Sequence, residues 1–220
     1  MEKVGNTVKS KQAERSEETK KQIVESAGRL FSEQGYDAVT IRAIAKDAGC
    51  SHTTIYLYFT DKEALLHQLS MPPLQELHQQ FLYLANLSTL TSVDKLKKIS
   101  LEYIHFCLKN RSLYDIFFNT KSTRVDEEDP KLEINRLRIE IFEIMKEIIR
   151  ECLSISNEEQ LLAFARIYYY NLNGILSTYS YQHEPLAVLM ERLTPTFELA
   201  IEILLLGFTE KLKEGMDNES

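Results

Sequence analysis

The stretch Thr40–Phe59, TIRAIAKDAGCSHTTIYLYF, decides the fold of this chain. Its first half has apolar residues at helical spacing and ends at Gly49, which favours a turn. Ser51 is a preferred helix N-cap, and Ile55 and Phe59, four residues apart, give the next segment one apolar face. The stretch therefore predicts a short helix, a glycine turn and a second short helix. The two helices can cross closely because the residues at the crossing are small or apolar.

The opposite face of the second helix is polar near its start, and it carries Ser51, His52, Thr53, Thr54 and Tyr56. This end also presents free backbone N–H groups and the positive end of the helix dipole, which favour phosphate. Helix-turn-helix proteins place this end of the helix in the major groove of DNA. The layout predicts a DNA-reading segment. The alternative is that these side chains are only a solvated surface.

The flanking segments predict further helices. Residues 1–16 are polar and are expected to form a flexible tail. A first helix is expected to begin near Ser16 and to stop at Gly35. Thr60–Glu63 has the capping-box pattern, so a fourth helix is expected to follow at once. These four helices, over residues 17–70, predict a compact N-terminal bundle.

Met71, Pro72 and Pro73 predict an interruption of the fourth helix, because proline removes a backbone donor and clashes with the preceding turn. The second, larger domain is therefore expected to cover residues 71–220. Its helical periodicity predicts helices over residues 74–87, 93–109, 113–118, 130–153, 157–181 and 194–212, and a polar loop over 121–129. No strand is needed, so the chain is predicted to be all-α.

Composition favours a globular intracellular protein. Hydrophobic residues make up 44% of the chain and charged residues 27%. The polar start predicts no signal peptide, and the longest apolar run, residues 203–208, is far too short to cross a bilayer. Cys50, Cys107 and Cys152 are far apart in the sequence and form no C-x-x-C pair, which is typical of a protein in a reducing compartment. We therefore expect a cytoplasmic protein with no membrane partner.

The charge distribution leaves one end of the chain available to nucleic acid. The net charge is −7, but residues 1–69 hold ten Lys or Arg and ten Asp or Glu residues, which cancel. All the excess negative charge therefore lies in residues 70–220. A neutral head on an acidic body is expected to present only the head to phosphate.

The helix-turn-helix region also resembles the TetR/AcrR family of regulators over about residues 17–70. The shared motifs are Gly35-Tyr36, Thr40, Ile44-Ala45, Ala48-Gly49-Cys50-Ser51, Thr54-Ile55-Tyr56, Tyr58-Phe59 and Lys62-Glu63. Two positions depart from the family pattern. Thr53 stands where the family usually has glycine or another small residue, and Cys50 stands where valine is usual. Thr53 must either fit close to the DNA backbone or itself supply a phosphate hydrogen bond.

The resemblance implies how the segment would contact DNA. Tyr56, Thr54 and Lys62 would bind phosphates, while Arg42 and His52 would be the main readers of base edges. The predicted DNA-binding residues are Thr40, Arg42, Ser51, His52, Thr53, Thr54, Tyr56 and Lys62.

The resemblance further implies an effector pocket inside the C-terminal domain. Aromatic residues with a few polar groups favour an apolar or aromatic ligand there, and no Lys or Arg cluster indicates an anionic one. The alternative is that these aromatics only pack the core. The predicted ligand-binding residues are Tyr103, Phe106, Tyr114, Phe117, Phe118, Tyr168, Tyr169 and Asn173.

The last helix predicts a homodimer, because it is apolar nearly all round and must be buried on every side. The apolar positions are Phe197, Leu199, Ile201, Ile203, Leu204, Leu205, Leu206 and Phe208. The family resemblance likewise implies a dimer made by the last two long helices. A twofold dimer suits a palindromic double-stranded operator.

The resemblance as a whole implies a repressor that a small, largely apolar effector releases from its operator. Residues 71–73 would be a hinge between the domains or, alternatively, a static kink. The two alternative functions are an enzyme and a helical adaptor without DNA binding. No phosphate loop, nucleophile elbow or zinc-protease motif occurs, so no catalysis, cofactor or metal is expected. A redox role for Cys107 or Cys152 has no adjacent base to support it.

Overall fold

The computed structural model describes residues 3–111, 133–179 and 184–217. All the regular structure within these ranges is helical, which confirms the all-α prediction. The helices are α1 Lys3–Gln34, α2 Ile41–Asp47, α3 His52–Tyr56, α4 Lys62–Ala85, α5 Ser92–Lys109, α6 Glu133–Leu153, α7 Glu158–Tyr179 and α8 Leu186–Asp217. The predicted helix over 113–118, the loop over 121–129, and the predicted helix boundaries at 130 and 181 lie outside the described residues.

The chain divides into two units between Pro73 and Leu74. The first unit contains α1 to α3 and the first half of α4. The second contains the rest of α4 and α5 to α8. The boundary falls inside a helix, whereas the sequence places it at residue 71, where a break in that helix is expected.

Helix α1 begins at Lys3, so its predicted start at Ser16 is wrong, and residues 3–16 are helical rather than a tail. The segment from residue 9 to 15 is rich in strong helix formers and contains no proline. Ser16 does not act as a cap, because its hydroxyl lies 3.0 Å from the hydroxyl of Tyr58. The predicted stop is confirmed, since Gly35 follows α1 with φ of +81°, a conformation that favours glycine.

Helix α4 runs unbroken through Pro72 and Pro73, so the predicted interruption is wrong. An interior proline costs about 3 kcal/mol. Apolar side chains are buried at helical spacing on both sides of the prolines, and each contributes roughly 1.5–3 kcal/mol when fully buried. These side chains are Leu65, Leu66, Leu74, Leu77, Phe81 and Leu84. Burial on both sides therefore keeps one helix where the local pattern favours two.

The cap of α4 also differs by one residue from the prediction. The Oδ1 atom of Asp61 accepts a hydrogen bond from the backbone N–H of Ala64 at 2.7 Å. Asp61 is thus the capping residue, in place of Thr60. Its carboxylate is a charged acceptor, which suits the positive end of the helix better than a hydroxyl.

Helix α8 begins at Leu186 and passes through Pro195, so its predicted start at Thr194 is wrong. As in α4, the burial of apolar side chains on both sides of the proline keeps the helix continuous. Leu189 and Leu193 before the proline and Phe197 after it are buried on one face. The starts of α5 and α7 agree with the prediction to within a residue, and Asn157 caps α7 by accepting from the N–H of Gln160 at 2.9 Å.

The core of the second unit is closed by aromatic pairs between its helices. Phe164 of α7 stacks on Phe208 of α8 with ring centroids 4.4 Å apart, and Tyr179 meets Phe197 edge-on. Phe142 of α6 packs edge-on against Tyr169 of α7 at 5.7 Å. These contacts hold α6, α7 and α8 against each other and position the residues of the pocket described below.

Candidate nucleic-acid interface and interior pocket

A glycine turn joins α2 to α3. Gly49 has φ of +66°, and the N–H of Cys50 donates to the carbonyl of Ala45 at 2.9 Å. Ile44 and Ile55, one from each helix, are completely buried. The two short helices are therefore fixed to the rest of the unit by one face each, as their sequence pattern predicts.

Three of the predicted DNA-binding hydroxyls lie at helix starts. The side chain of Thr40 caps α2 by accepting from the N–H of Ala43 at 3.2 Å. Ser51 caps α3 by accepting from the N–H of Thr54 at 3.0 Å. The hydroxyls of Ser51 and Thr54 also lie 2.8 Å apart. These oxygens therefore fix where the helices begin, in addition to any contact with DNA.

The other predicted contacts on these helices lie together on the solvent side. Arg42, at the start of α2, and His52 and Thr53, at the start of α3, are exposed. Tyr56 at the end of α3 is 53% exposed. A cation, an imidazole and two hydroxyls therefore face solvent from the two helices that the turn joins.

Leu57 is part of this exposed surface but is absent from the predicted set. It is 81% exposed. The sequence contains the signal for it. Ile55 and Phe59 define the buried face, and Leu57 lies midway between them, about 200° from either on a helical wheel. An apolar side chain beside Tyr56 could contact a thymine methyl group or a sugar.

Lys62, by contrast, makes its hydrogen bonds within its own subunit. Its Nζ donates to the carbonyl oxygens of Tyr36 at 2.8 Å and Val39 at 3.0 Å, and lies 4.1 Å from the centroid of the Tyr36 ring. The half-buried ammonium group therefore links the start of α4 to the connection between α1 and α2. The sequence predicts a phosphate ligand at this position and does not reveal these backbone contacts.

Two further contacts hold α1 against the helix-turn-helix. Arg29 of α1 forms an ion pair with Asp47, at the end of α2. A hydrogen bond from Ser26, which is the largest single cause, and the hydrogen bond and positive charge of Arg29 lower the pKa of the Asp47 carboxyl. Tyr58, after α3, meets Ser16 of α1. Helix α1 therefore acts as the support on which α2 and α3 are positioned.

The second unit contains a small pocket among α5, α6 and α7, with one side formed by α4. It has room for about one water molecule. Its lining residues are Leu74, Tyr103, Phe106, Cys107, Arg138, Ile141 and Tyr169. Three of the predicted ligand-binding residues, Tyr103, Phe106 and Tyr169, are thus brought together.

Two other predicted ligand contacts do not line this pocket. Tyr168 is buried in the core with its hydroxyl 2.5 Å from that of Ser100. Asn173 donates from Nδ2 to the carbonyl of Tyr169 at 2.9 Å, and its buried Oδ1 has no partner among the described residues. The remaining predicted contacts, Tyr114, Phe117 and Phe118, lie outside the described residues.

Leu74, Cys107, Arg138 and Ile141 line the pocket but are absent from the predicted set, and Arg138 is the charged residue among them. Its guanidinium donates to Oδ1 of Asn135 at 3.2 Å. The signal was present, because position 138 continues the buried stripe formed by Ile134, Ile141 and Met145 on α6. A charged residue within an apolar helical stripe indicates either a functional group or an interior ion pair.

Burial governs the titratable groups around the pocket. It raises the pKa of the Tyr103 and Tyr169 hydroxyls, and the positive charge of Arg138 opposes part of this rise. It also raises the pKa of the Cys107 thiol, so this thiol is protonated at neutral pH. Because their pKa values are raised, the Tyr103 and Tyr169 hydroxyls also keep their protons at neutral pH and can donate hydrogen bonds.

Two other kinds of site are absent from the part of the chain that the structure describes. No group of three or more His, Cys, Asp or Glu residues is arranged there to hold a metal ion. None of the helices in the same ranges combines the length and the apolar character needed to cross a membrane.

Comparison with known families places the helix-turn-helix in one group. Residues 23–69 match the family of bacterial regulatory proteins called the tetR family. The HTH-type transcriptional regulator HbdR of Aromatoleum sp. (strain CIB) is 50% identical over 50 residues, which are 23% of this chain and 22% of that protein. An uncharacterized HTH-type regulator of Bacillus subtilis, YuxN, is 43% identical over 49 residues, 22% of this chain and 17% of its own length. These matches span about a fifth of the relatives they come from.

Solved structures resemble a much larger part of the chain. The TetR-family regulator PfmR of Thermus thermophilus superposes with a TM-score of 0.61 at 17% identity, covering 83% of this chain and 96% of that one. FadR of Bacillus subtilis, solved in complex with stearoyl-CoA, superposes with a TM-score of 0.59 at 20% identity, covering 84% and 96%. At these identities the likeness shows a shared fold.

Proposed function

We propose that the chain, whose residues 23–69 match the tetR family, is a ligand-responsive repressor of the TetR/AcrR type. In this proposal the first unit binds a palindromic double-stranded operator. A small, largely apolar effector in the second unit releases it. A regulator that reads chromosomal DNA in this way would act in the cytoplasm.

The observation that carries the proposal is the exposed surface of α2 and α3. Their buried faces and the Gly49 turn fix both helices, so the opposite side projects a constant set of groups. Arg42 and His52 are the proposed readers of base edges, and Thr53 and Tyr56 the proposed phosphate contacts. Their exposure supports these roles, because a residue must be free of its own protein core to reach a groove.

The two faces of α8 support a homodimer. Ile201 and Leu205 are buried within the subunit, whereas Leu199, Ile203 and Leu206 are 53%, 59% and 67% exposed. The three exposed residues recur at i, i+4 and i+7, so they form one apolar face. On α7, Ile167 and Tyr170 are exposed as well. A second copy of this chain is the proposed occupant of this surface, because its α7 and α8 offer the same apolar face around a twofold axis.

Release is proposed to work by a change in the spacing of the two recognition helices. A dimer would hold them about 34–36 Å apart, one turn of DNA. Leu74 of α4 lines the pocket, and α4 continues without a break to the first unit. A ligand that displaces α4 would then favour a state whose spacing does not match the operator. Residues 71–73 stay the proposed position of any bending.

The test is binding of the purified full chain to DNA from upstream of its own gene, measured by fluorescence anisotropy at several salt concentrations. Affinity should fall steeply with salt, because phosphate contacts release counterions. Tyr56→Phe should weaken binding to all sequences alike, and Arg42→Ala should also reduce discrimination between sequences. Tyr83→Phe, at a tyrosine of α4 that is 60% exposed, is the matched control. No binding even at low salt would contradict the proposal and favour an adaptor.

A further inference from the structure

One aliphatic side chain lies within the largely polar surface that α2 and α3 present to solvent. We propose that Leu57 contacts the C5-methyl group of a thymine in the major groove, so that the operator requires a T·A base pair at one position of each half-site. The inference rests on the proposed function, because it concerns how the first unit recognises DNA. It adds an apolar contact to the polar readers Arg42 and His52.

Leu57 and its neighbour Tyr56 form a small apolar patch on the first unit. Leu57 is 81% exposed and Tyr56 is 53% exposed. Within residues 12–73, the part of this unit whose side chains the structure describes, every other large apolar residue is buried or half-buried. The exposed apolar surface of this unit is therefore concentrated at one place on α3, where polar residues surround it. An apolar patch with a polar rim indicates an interaction site.

The backbone on both sides of Leu57 keeps its side chain on the solvent side. Leu57 follows α3 in a helical conformation, with φ of −73° and ψ of −23°, and its N–H donates to the carbonyl of Thr54 at 3.2 Å. The hydroxyl of the next residue, Tyr58, lies 3.0 Å from that of Ser16, and Phe59 is buried. Leu57 is therefore held between anchored residues and can meet DNA without a rearrangement of the helix.

The position of Leu57 continues the proposed DNA interface. It lies one turn after Thr53 and directly after Tyr56, and both of these residues are exposed proposed contacts. The buried Ile55 lies on the other side of α3. A recognition helix that brings Thr53 and Tyr56 to the DNA therefore brings Leu57 to it as well.

The chemistry of the leucine side chain selects thymine among the bases. The side chain has no hydrogen-bond donor or acceptor, so the polar groups of the base edges offer it no specific partner. Thymine is the base that presents a methyl group in the major groove. Contact between the two removes apolar surface of both from water, which is favourable. A contact with a deoxyribose would also be apolar, but it would carry no direct sequence information.

The experiment removes only the thymine methyl group. The binding site of the full-length protein is first mapped by footprinting on DNA from upstream of its own gene. Each thymine of that site is then replaced in turn by deoxyuridine, and binding is measured by fluorescence anisotropy. One replacement in each half-site should weaken wild-type binding about fourfold, since burial of one methyl group contributes roughly 0.8 kcal/mol. Leu57→Ala should bind the thymine and deoxyuridine forms of that position equally.

Two further variants of position 57 test whether the contact is apolar. Leu57→Met keeps a flexible apolar side chain and should keep most of the dependence on the methyl group. Leu57→Asn, which is similar in size but polar, should lose this dependence. All three variants should keep the thermal midpoint of wild type, because they change an exposed side chain. Leu82→Ala, at a leucine of α4 that is 37% exposed, is the matched control and should keep the full dependence.

The proposal is overturned if no deoxyuridine replacement weakens wild-type binding, or if Leu57→Ala keeps the dependence on the methyl group. A uniform loss of affinity in Leu57→Ala, equal for thymine and deoxyuridine at every position where wild type also binds both equally, would indicate a sugar contact and would overturn it too. In each of these outcomes the wild-type protein still binds its operator, so the proposed function stands. Absence of DNA binding even at low salt would refute the proposed function and this contact together.

Discussion

The Nζ atom of Lys62 lies 2.8 Å from the carbonyl oxygen of Tyr36 and 4.1 Å from the centroid of its ring. With the second bond to Val39, this ammonium group satisfies two backbone carbonyls in the connection before α2. The position of the helix-turn-helix therefore depends on a residue that the family resemblance assigns to phosphate binding. Both roles are compatible, because the ammonium group has three N–H donors.

Lys62→Met tests which role dominates. Loss of both backbone contacts should lower the free energy of unfolding by about 1–3 kcal/mol. A lysine that only binds phosphate would leave stability unchanged and reduce the salt slope of DNA binding by about 1. Urea unfolding and salt-dependent anisotropy on the same variant separate these results. Lys98→Met, on the exposed side of α5, is the control.

Substitution of Ser100 and substitution of Tyr168 should lower the free energy of unfolding by different amounts. The Ser100 hydroxyl donates to the carbonyl of Leu96 at 2.6 Å, so the Tyr168 hydroxyl is the donor between the two side chains. Ser100→Ala leaves a buried hydroxyl without a partner and should cost about 1–3 kcal/mol. Tyr168→Phe removes that hydroxyl and should cost about 0.5–1.5 kcal/mol. Chemical unfolding measures both, and a larger loss for Tyr168→Phe than for Ser100→Ala would contradict the assignment of the donor.

Asp47 should make the first unit sensitive to acid. Its pKa in the folded protein is lowered by Ser26 and then by Arg29. Its stabilising effect is therefore fully present above the unfolded value of about 3.9 and is lost as pH falls through the lower folded value. Asp47→Asn should be less stable than wild type at pH 7, and the two should converge near pH 2. A constant difference across this range would exclude the ionised carboxylate as the cause.

The cysteines should be slow to react while the protein is folded. Burial raises the pKa of Cys152 to about 12 and that of Cys107 above its ordinary value as well. Because the thiolate is the reactive form, iodoacetamide at pH 8 should label buried Cys107 only at the rate of unfolding, and partly buried Cys152 much more slowly than an exposed thiol. Mass spectrometry of timed samples, with urea-unfolded protein as the reference, measures this rate. Rapid labelling of native Cys107 would revive the redox interpretation.

The role of the exposed face of α8 in dimerisation can be tested by introducing a charge there. Ile203→Asp places a carboxylate at the centre of the proposed dimer interface and should convert the dimer to a monomer, since an unpaired buried charge is strongly destabilising. Light scattering coupled to size exclusion gives the mass directly. Val93→Asp, at an exposed position on α5, should leave the mass unchanged. A wild-type monomer, or a dimer that survives Ile203→Asp, would contradict the proposed interface.

The sequence by itself determined the helix-turn-helix, because its signals are local. The N-caps at Thr40 and Ser51 bond to N–H groups three residues away, and Gly49 permits the positive φ of the turn. The i, i+4 spacing of Ile55 and Phe59 defines the buried face of α3. All these features lie within a few residues of one another, so a linear pattern contains them.

Only the tertiary structure decided the features that depend on distant partners. The burial of side chains on both sides of Pro73 and Pro195 keeps α4 and α8 continuous, although the local pattern favours breaks. The backbone contacts of Lys62 join residues that are 23 and 26 positions apart. Arg138 shares a pocket with Tyr103 and Tyr169 only because α5, α6 and α7 pack together. The continuous helices, the Lys62 contacts and the shared pocket all depend on the free energy of tertiary packing, which local sequence patterns do not contain.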